Sequence, residues 1–246
     1  MSQASTIHEI DAGEFSVRSV LIQGQKFCLV WDTLTHPRDM APFVDACTRQ
    51  QCFVVYSHAD WDHIQGTSAL GSALVIGHRD CAQRFAGDTR QTLAELQARD
   101  VRKWDEVTLI PPDITFDRHL DLDLGGITAS LHALPGHTPD SIVAFIPGMK
   151  LLLAGDAVEL PCPCVPPGCD LGSWIRGLQR WREHSGVHTI IPSHGPSGGK
   201  EILDHAIAYL EGLRSGAPLP LPEDAPPFYA STHRDNLRHC NLYSTP

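Results

Sequence analysis

Basic side chains are scarce in this chain. Its 19 Lys and Arg face 29 Asp and Glu, for a formal net charge of −10 with histidine neutral. That balance argues against nucleic acid or an anionic membrane surface as the main partner. Phosphate-bearing small molecules stay open, because a bound cation inverts the field around it. No apolar run is long enough to span a bilayer. The start, MSQASTIHEIDAGEF, has neither a basic opening nor an apolar segment, so no export signal is expected and the cytoplasm is the expected compartment. Eight cysteines in 246 residues fall short of a disulfide-scaffold density, and reduced thiols are expected. No fixed-period repeat or low-complexity linker divides the chain.

What is present is an ordinary globular balance, 42% hydrophobic and 20% charged. Apolar, β-branched runs predict strands at FSVRSVLI, KFCLVWDT, CFVVYSH and SALVIGH, and again at ITFDRHLDLDL, ITASLHAL, SIVAFIP, KLLLAGDA and VHTIIPSHG. The Gly pair in LGGITASL reads as a hairpin turn. Helices are predicted over PRDMAPFVDACTRQ, TRQTLAELQARDVRKW, SWIRGLQRWREHS and GKEILDHAIAYLEGLRSG. Two strand blocks, each closing with strand-plus-helix units, predict sheet packed on sheet with helices outside. A single domain over 1–246 is expected, with a Pro-rich C-terminal extension from about 216, APLPLPEDAPP, and a short closing piece.

Four segments share one format, in which a buried strand ends and a ligand-type residue follows. They are VVYSHADWDH (His58, Asp60, Asp62, His63), LHALPGHTPDS (His137), KLLLAGDA (Asp156) and TIIPSHG (His194). Gly136, Gly155 and Gly195 adjoin three of these residues and allow tight turns there. Any one of the histidines taken singly would be read as a cap or a surface residue. Three carboxylates and four imidazoles gathered together would repel or go unsatisfied. One or two divalent cations satisfy all of them, since imidazole suits zinc or iron and carboxylates can bridge.

With these residues in view, the chain resembles the metallo-β-lactamase-fold hydrolases, whose motif is His-x-His-x-Asp-His followed by Gly-His, Gly-Asp and a late Ser/Gly-His. HADWDH, PGHTPDS, AGD and PSHG match in order, and the resemblance covers roughly residues 7–215. It implies an α/β, four-layer αββα sandwich with a two-metal site at one edge. One ion would take His58, Asp60 and His137; the other would take Asp62, His63 and His194; Asp156 would bridge them. The implied reaction is hydrolysis of a small ester, lactone, thioester or related compound by a hydroxide held between the ions. Asp62 is implied to orient that group and relay a proton.

Asp60 departs from the family's majority pattern, which has histidine there. It can coordinate directly, coordinate through a water, or fall short. An oxygen donor makes iron or manganese compatible beside zinc, the first choice. It also resembles the flavodiiron branch, which has an acid at this position but carries a further domain for which this chain has no room. The persulfide dioxygenase branch offers a second oxidative precedent, with His58, His137 and Asp156 as its triad. A non-haem iron oxidoreductase is therefore the alternative, and a metal-binding sensor with little turnover a third class.

Around these ligands, Asp32 either bonds a ligand histidine or caps a turn. Thr138 and Asp140 read as loop-stabilising groups, and Trp61 as a side chain packed against a neighbouring loop or helix. His36 and His233 read as surface or helix-end residues. Cys162, Cys164 and Cys169 in ELPCPCVPPGCD lack a zinc-ribbon spacing and read first as bystanders in an ordered loop, with a pocket wall carrying a thiol near the substrate and a separate metal site as the alternatives.

Overall fold

The computed structural model describes residues 5–242. The first sheet runs in the order β1 (Ser5–Asp11), β2 (Ser16–Gln23), β3 (Cys28–Trp31), β4 (Cys52–Val55), β5 (Leu74–His78), β6 (Ile114–Phe116). From β3 to β6 neighbouring strands are parallel, and β1, β2 and β3 form an antiparallel meander. The second sheet contains β7 (His119–Asp123), β8 (Thr128–Ala133), β9 (Ile142–Ile146), β10 (Leu151–Gly155) and β11 (Thr189–Pro192), ordered 11-10-9-8-7. Only its β10–β11 pair is parallel.

Alternation of side chains across each strand divides the apolar residues into three layers of contact. Val20, Ile22, Leu29, Trp31 and Val55 face inward from the first sheet onto Leu131, Ile142, Ala144, Leu151 and Leu153 of the second. Their neighbours Leu21, Val30 and Val54 face outward, onto Phe43 of α1 (Ala41–Arg49) and Phe85 of α3 (Arg79–Ala86). On the far side Leu152 and Ala154 meet Trp174 and Leu178 of α6 (Leu171–Glu183) and Leu203, Tyr209 and Leu210 of α7 (Glu201–Ser215). Each buried Leu or Ile contributes about 1.5–3 kcal/mol, enough in sum to fix which face each strand turns inward. The result is the expected αββα sandwich.

Four details differ from the sequence expectation. Ser5–Asp11 is a strand, although mostly exposed, because it zips onto β2 at the sheet edge. The run ITFDRHLDLDL is two strands in two sheets, the chain crossing between β6 and β7. The stretch 89–104 is broken: α4 (Asp88–Arg99) ends where the Asp100 side chain accepts from Lys103 N–H and starts α5 (Val101–Trp104). The closing piece is a 13-residue helix, α8 (Pro227–His239), whose Tyr229 joins the outer core of the second sheet.

At one end of the sandwich the sheets are stitched by backbone. Gln25 N–H donates to Gly125 O at 2.9 Å, and Lys26 and Phe27 N–H donate to Leu124 O at 2.9 and 3.1 Å. The opposite end, where β3, β4, β10 and β11 finish, carries the ligand-type residues. Among the described residues no helix is long and apolar enough to cross a membrane.

Candidate metal centre

β4 ends at Val55, and the chain turns through Ser57 and His58 into the short helix α2 (Trp61–Ile64). Asp60 stands immediately before this helix, with Asp62 and His63 in its first turn. The second sheet supplies His137 after β8, Asp156 after β10 and His194 after β11. All seven converge.

They sort into two groups whose ligand atoms lie within 4.8 Å of one another: His58, Asp60 and His137, and Asp62, His63 and His194. Asp156 stands between them. Its Oδ2 is 3.8 Å from His58 Nε2, 3.5 Å from His137 Nε2, 3.5 Å from His63 Nε2 and 3.3 Å from His194 Nε2. Asp60 Oδ2 lies 3.4 Å from His58 Nε2 and 3.3 Å from His137 Nε2, so its short side chain does reach the group. Asp62 Oδ2 lies 3.5 Å from His63 Nε2 and 3.4 Å from His194 Nε2.

These separations exceed the ~2.7–2.9 Å of a charge-assisted hydrogen bond. They match the edge of a tetrahedron of ligands about 2.0–2.1 Å from a central ion, roughly 3.4 Å. His58 Nε2, His63 Nε2 and Asp156 Oδ1 are buried with no hydrogen-bond partner. Buried orphan atoms of this kind are costly, and cations between the groups would satisfy them. The residues present therefore fit one or two divalent ions.

The other ring nitrogen of each histidine is occupied, which aims Nε2 at the centre. His63 Nδ1–H donates to Asp32 Oδ2 at 2.9 Å and His137 Nδ1–H to Cys164 O at 3.1 Å. His194 Nδ1–H donates to Ser16 O at 2.7 Å, and His58 Nδ1 meets Ser57 Oγ at 2.9 Å. Asp32 is fully buried and left-handed at φ 58, a conformation Asp tolerates, and its Oδ1 accepts Ser57 N–H at 2.7 Å. Of the two readings open for Asp32, the structure gives the histidine-orienting one. Gly136 lets the His137 loop lie against an indole: a Cβ there would stand 2.3 Å from Trp174. Trp174 Nε1–H also donates to Ala157 O at 3.0 Å, so one α6 side chain supports both the His137 and Asp156 loops.

Charge balance in the cluster is mutual. Burial works against ionisation of Asp60, Asp62 and Asp156, yet the surrounding imidazoles hold all three below the usual carboxylate range. Burial likewise works against protonated imidazole, but Asp156, Asp62 and Asp32 raise His63, and Asp156 and Glu159 raise His194. His137 is raised to about 9 against the same burial, chiefly by its bond to Asp60.

Further residues support the cluster, of which Arg84, Glu159 and Phe15 have no sequence signal, while Asp140 and Trp61 take the loop-bracing and packing places expected of them. Arg84 of α3 donates to Asp60 Oδ1 at 2.5 Å and to Asp140 Oδ1 at 3.0 Å, leaving Asp60 one free oxygen. Asp140 Oδ2 accepts Ala59 N–H at 2.8 Å, so it braces the HADWDH turn from the second sheet. Glu159 is buried beside the cluster and accepts Tyr229 O–H from α8 at 2.7 Å. The ring of Phe15, from the β1–β2 turn, packs edge-on to His194 at 5.0 Å and against Phe228 at 4.9 Å. Trp61 stacks edge-on against Trp104 of α5 at 5.7 Å, as its position between ligands predicts.

The side chains of the other candidates do not join the two donor sets. His36 is buried rather than at the surface, its Nδ1 accepting Arg38 N–H to start a 3-10 turn. His233 lies in α8 with Nδ1 accepting from Tyr209 O–H at 2.8 Å. Cys162, Cys164 and Cys169 do not converge on a common point among the described residues.

The metallo-beta-lactamase superfamily model matches residues 12–194. The chain belongs to the metallo-beta-lactamase superfamily. Its fold is similar to that of the archaeal superfamily protein ST1585 from Sulfolobus tokodaii, with TM-score 0.71 at 17% identity, covering 99% of this chain and 100% of that one. A metallo-beta-lactamase from Pontibacter korlensis gives TM-score 0.64 at 22% identity over 86% of this chain and 96% of that one. FIM-1 from Pseudomonas aeruginosa, in its mono-zinc form, gives TM-score 0.58 at 18% identity over 84% and 89%. No curated protein matches the chain. Membership extends to a variant in which Asp60 stands within HADWDH, and metal-dependent hydrolases occur in this superfamily.

Proposed function

We propose that this superfamily member is a dinuclear metal-dependent hydrolase of a small ester, lactone, thioester or related acyl or phosphoryl compound, working in the cytoplasm. The observation that carries the reading is the pair of three-residue donor sets sharing Asp156, with three buried ligand atoms otherwise unpartnered. His58, Asp60 and His137 would hold one ion, Asp62, His63 and His194 the other, and Asp156 both. Two divalent cations there supply an activated water near neutral pH and polarise the scissile group. The zinc of FIM-1 supports zinc as first choice.

The chain's own residues do the rest. Asp62, held ionised, takes the proton released by the attacking water and returns it to the leaving group. Asp32, Ser16 and Cys164 keep three imidazoles in the tautomer that leaves Nε2 as a lone-pair donor. Phe15, Phe228 and Trp61 place apolar surface near the cluster, suited to an acyl or aromatic group on the substrate.

A second reading rests on Asp60, whose oxygen makes the first donor set harder and favours iron, and with it oxidative chemistry. The test is elemental analysis of protein produced with zinc, manganese or iron, alongside ester and lactone turnover and oxygen uptake. The hydrolytic reading expects ester or lactone turnover with zinc or manganese; tightly held iron with oxygen uptake and no hydrolysis overturns it. His63→Ala is expected to abolish activity and Cys164→Ala to leave most of it; equal loss would make the loop thiols participants.

A further inference from the structure

Three cysteines meet at the stitched end of the sandwich. Cys28 opens β3 and Cys52 opens β4, and the parallel register sets them side by side. Asp32 and His58 follow the other ends of the same two strands, so the thiols and the His/Asp cluster lie at opposite ends of the first sheet. Cys47 comes from the last turn of α1, and a two-residue link returns the chain to Cys52. The three sulfur atoms lie within 4.8 Å of one another, with Cys47 Sγ and Cys52 Sγ 3.1 Å apart. Cys28 and Cys52 are fully buried, while Cys47 is half-buried and gives solvent a way in. Gln51 O stands 3.9 Å from Cys28 Sγ.

Two thiols would suffice for a disulfide, and such a pair would leave the third sulfur without a role. A triangle of sulfurs within 4.8 Å of one another is compact enough for one soft ion, around which thiolates stand roughly 3.8 Å apart at a metal–sulfur length of ~2.3 Å; Cys47 and Cys52, at 3.1 Å, would move slightly apart to hold it. Thiolates select Cu(I), zinc and their heavier relatives over magnesium, calcium or manganese.

We propose that Cys28, Cys47 and Cys52 form a second metal site, for one thiophilic closed-shell cation of the Cu(I), Zn(II) or Cd(II) class. Each thiol that binds does so as thiolate and releases its proton to solvent, with no electron transferred. The site is independent of the His/Asp cluster and of any hydrolytic activity.

Cadmium is the probe, added to reduced protein whose His/Asp cluster has first been loaded with zinc. Thiolate-to-cadmium charge transfer absorbs in the ultraviolet, and nitrogen and oxygen ligands give no such band. The band is expected to saturate near one equivalent, to vanish in Cys47→Ser and Cys28→Ser, and to persist in Cys164→Ser and His63→Ala. Cys47, half-buried, is the variant that tests the site with least disturbance to folding, and circular dichroism checks both. Absence of the band, or its loss in Cys164→Ser, overturns the proposal. So does a reductant-reversible Cys47–Cys52 disulfide in protein purified without reductant.

Discussion

Arg84 and Asp60 form a pair that changes what the ligand group can hold. Arg84 occupies Asp60 Oδ1 and reaches the fully buried Asp140 with its other nitrogen. A planar fork can serve both carboxylates where an ammonium could not. Partners of this kind commonly alter metal affinity 10- to 100-fold. Arg84→Ala is expected to weaken the ion at His58, Asp60 and His137 by about that factor while the other ion stays, as read by chelator competition; equal weakening of both would refute the pairing. Glu159 is a second such residue, raised to about 7 by burial in the cation-free protein. An acid raised from 4.5 contributes stability below about pH 4.5 that is lost as pH rises through 7. Glu159→Gln keeps an acceptor for Tyr229 and removes that loss. In chelated protein it should raise the denaturation midpoint at pH 8 and leave it unchanged near pH 4; an equal shift at both would place the effect in packing. The seven ligand-type residues were legible because each follows an apolar strand in the chain. Arg84 and Glu159 were not, because docking of α3 brings Arg84 to Asp60 and docking of α8 brings Tyr229 to Glu159, and docking leaves no mark on spacing.

Elements show the same division between local and distant causes. Periodicity identifies α6, α7 and the buried strands because each carries its own apolar face. It merges β6 with β7 because the crossing between sheets occurs within one apolar-alternating run. It leaves α8 unread because a proline-rich approach and a polar sequence hide a helix that buries only Tyr229, Thr232 and Asn236. Asn236 is the anchor: its Oδ1 accepts Val165 N–H at 2.8 Å, and its Nδ2 donates to Pro163 O at 2.8 Å and to Tyr209 Oη at 3.0 Å. Asn236→Ala orphans buried partners at about 1–3 kcal/mol each. It should lower the denaturant midpoint and speed amide exchange in the Cys162–Val165 loop, whose Cys164 carbonyl holds His137. Destabilisation with that loop's exchange unchanged would separate α8 from the cluster.

Across the whole molecule, ligands come from both sheets, so cations placed there would join the two layers. Binding to the folded state alone stabilises by about 4 kcal/mol at a thousandfold excess over the dissociation constant. For a domain of this size that corresponds to roughly 10 °C. Chelation is expected to lower the thermal midpoint by about this much, and resupplied zinc to restore it; an unchanged midpoint would mean that the ions, where bound, do not join the layers.

The backbone stitch between the Gln25–Phe27 turn and Leu124–Gly125 lies at the other end and is made of peptide hydrogen bonds, with no part taken by the His/Asp ligands. A seam of this kind does not wait for ions at the His/Asp cluster. The polypeptide can close its seam during synthesis, leaving the ligand-bearing lips to receive their ions afterwards. A cell short of metal would then accumulate a folded, waiting receptor rather than a misfolded chain.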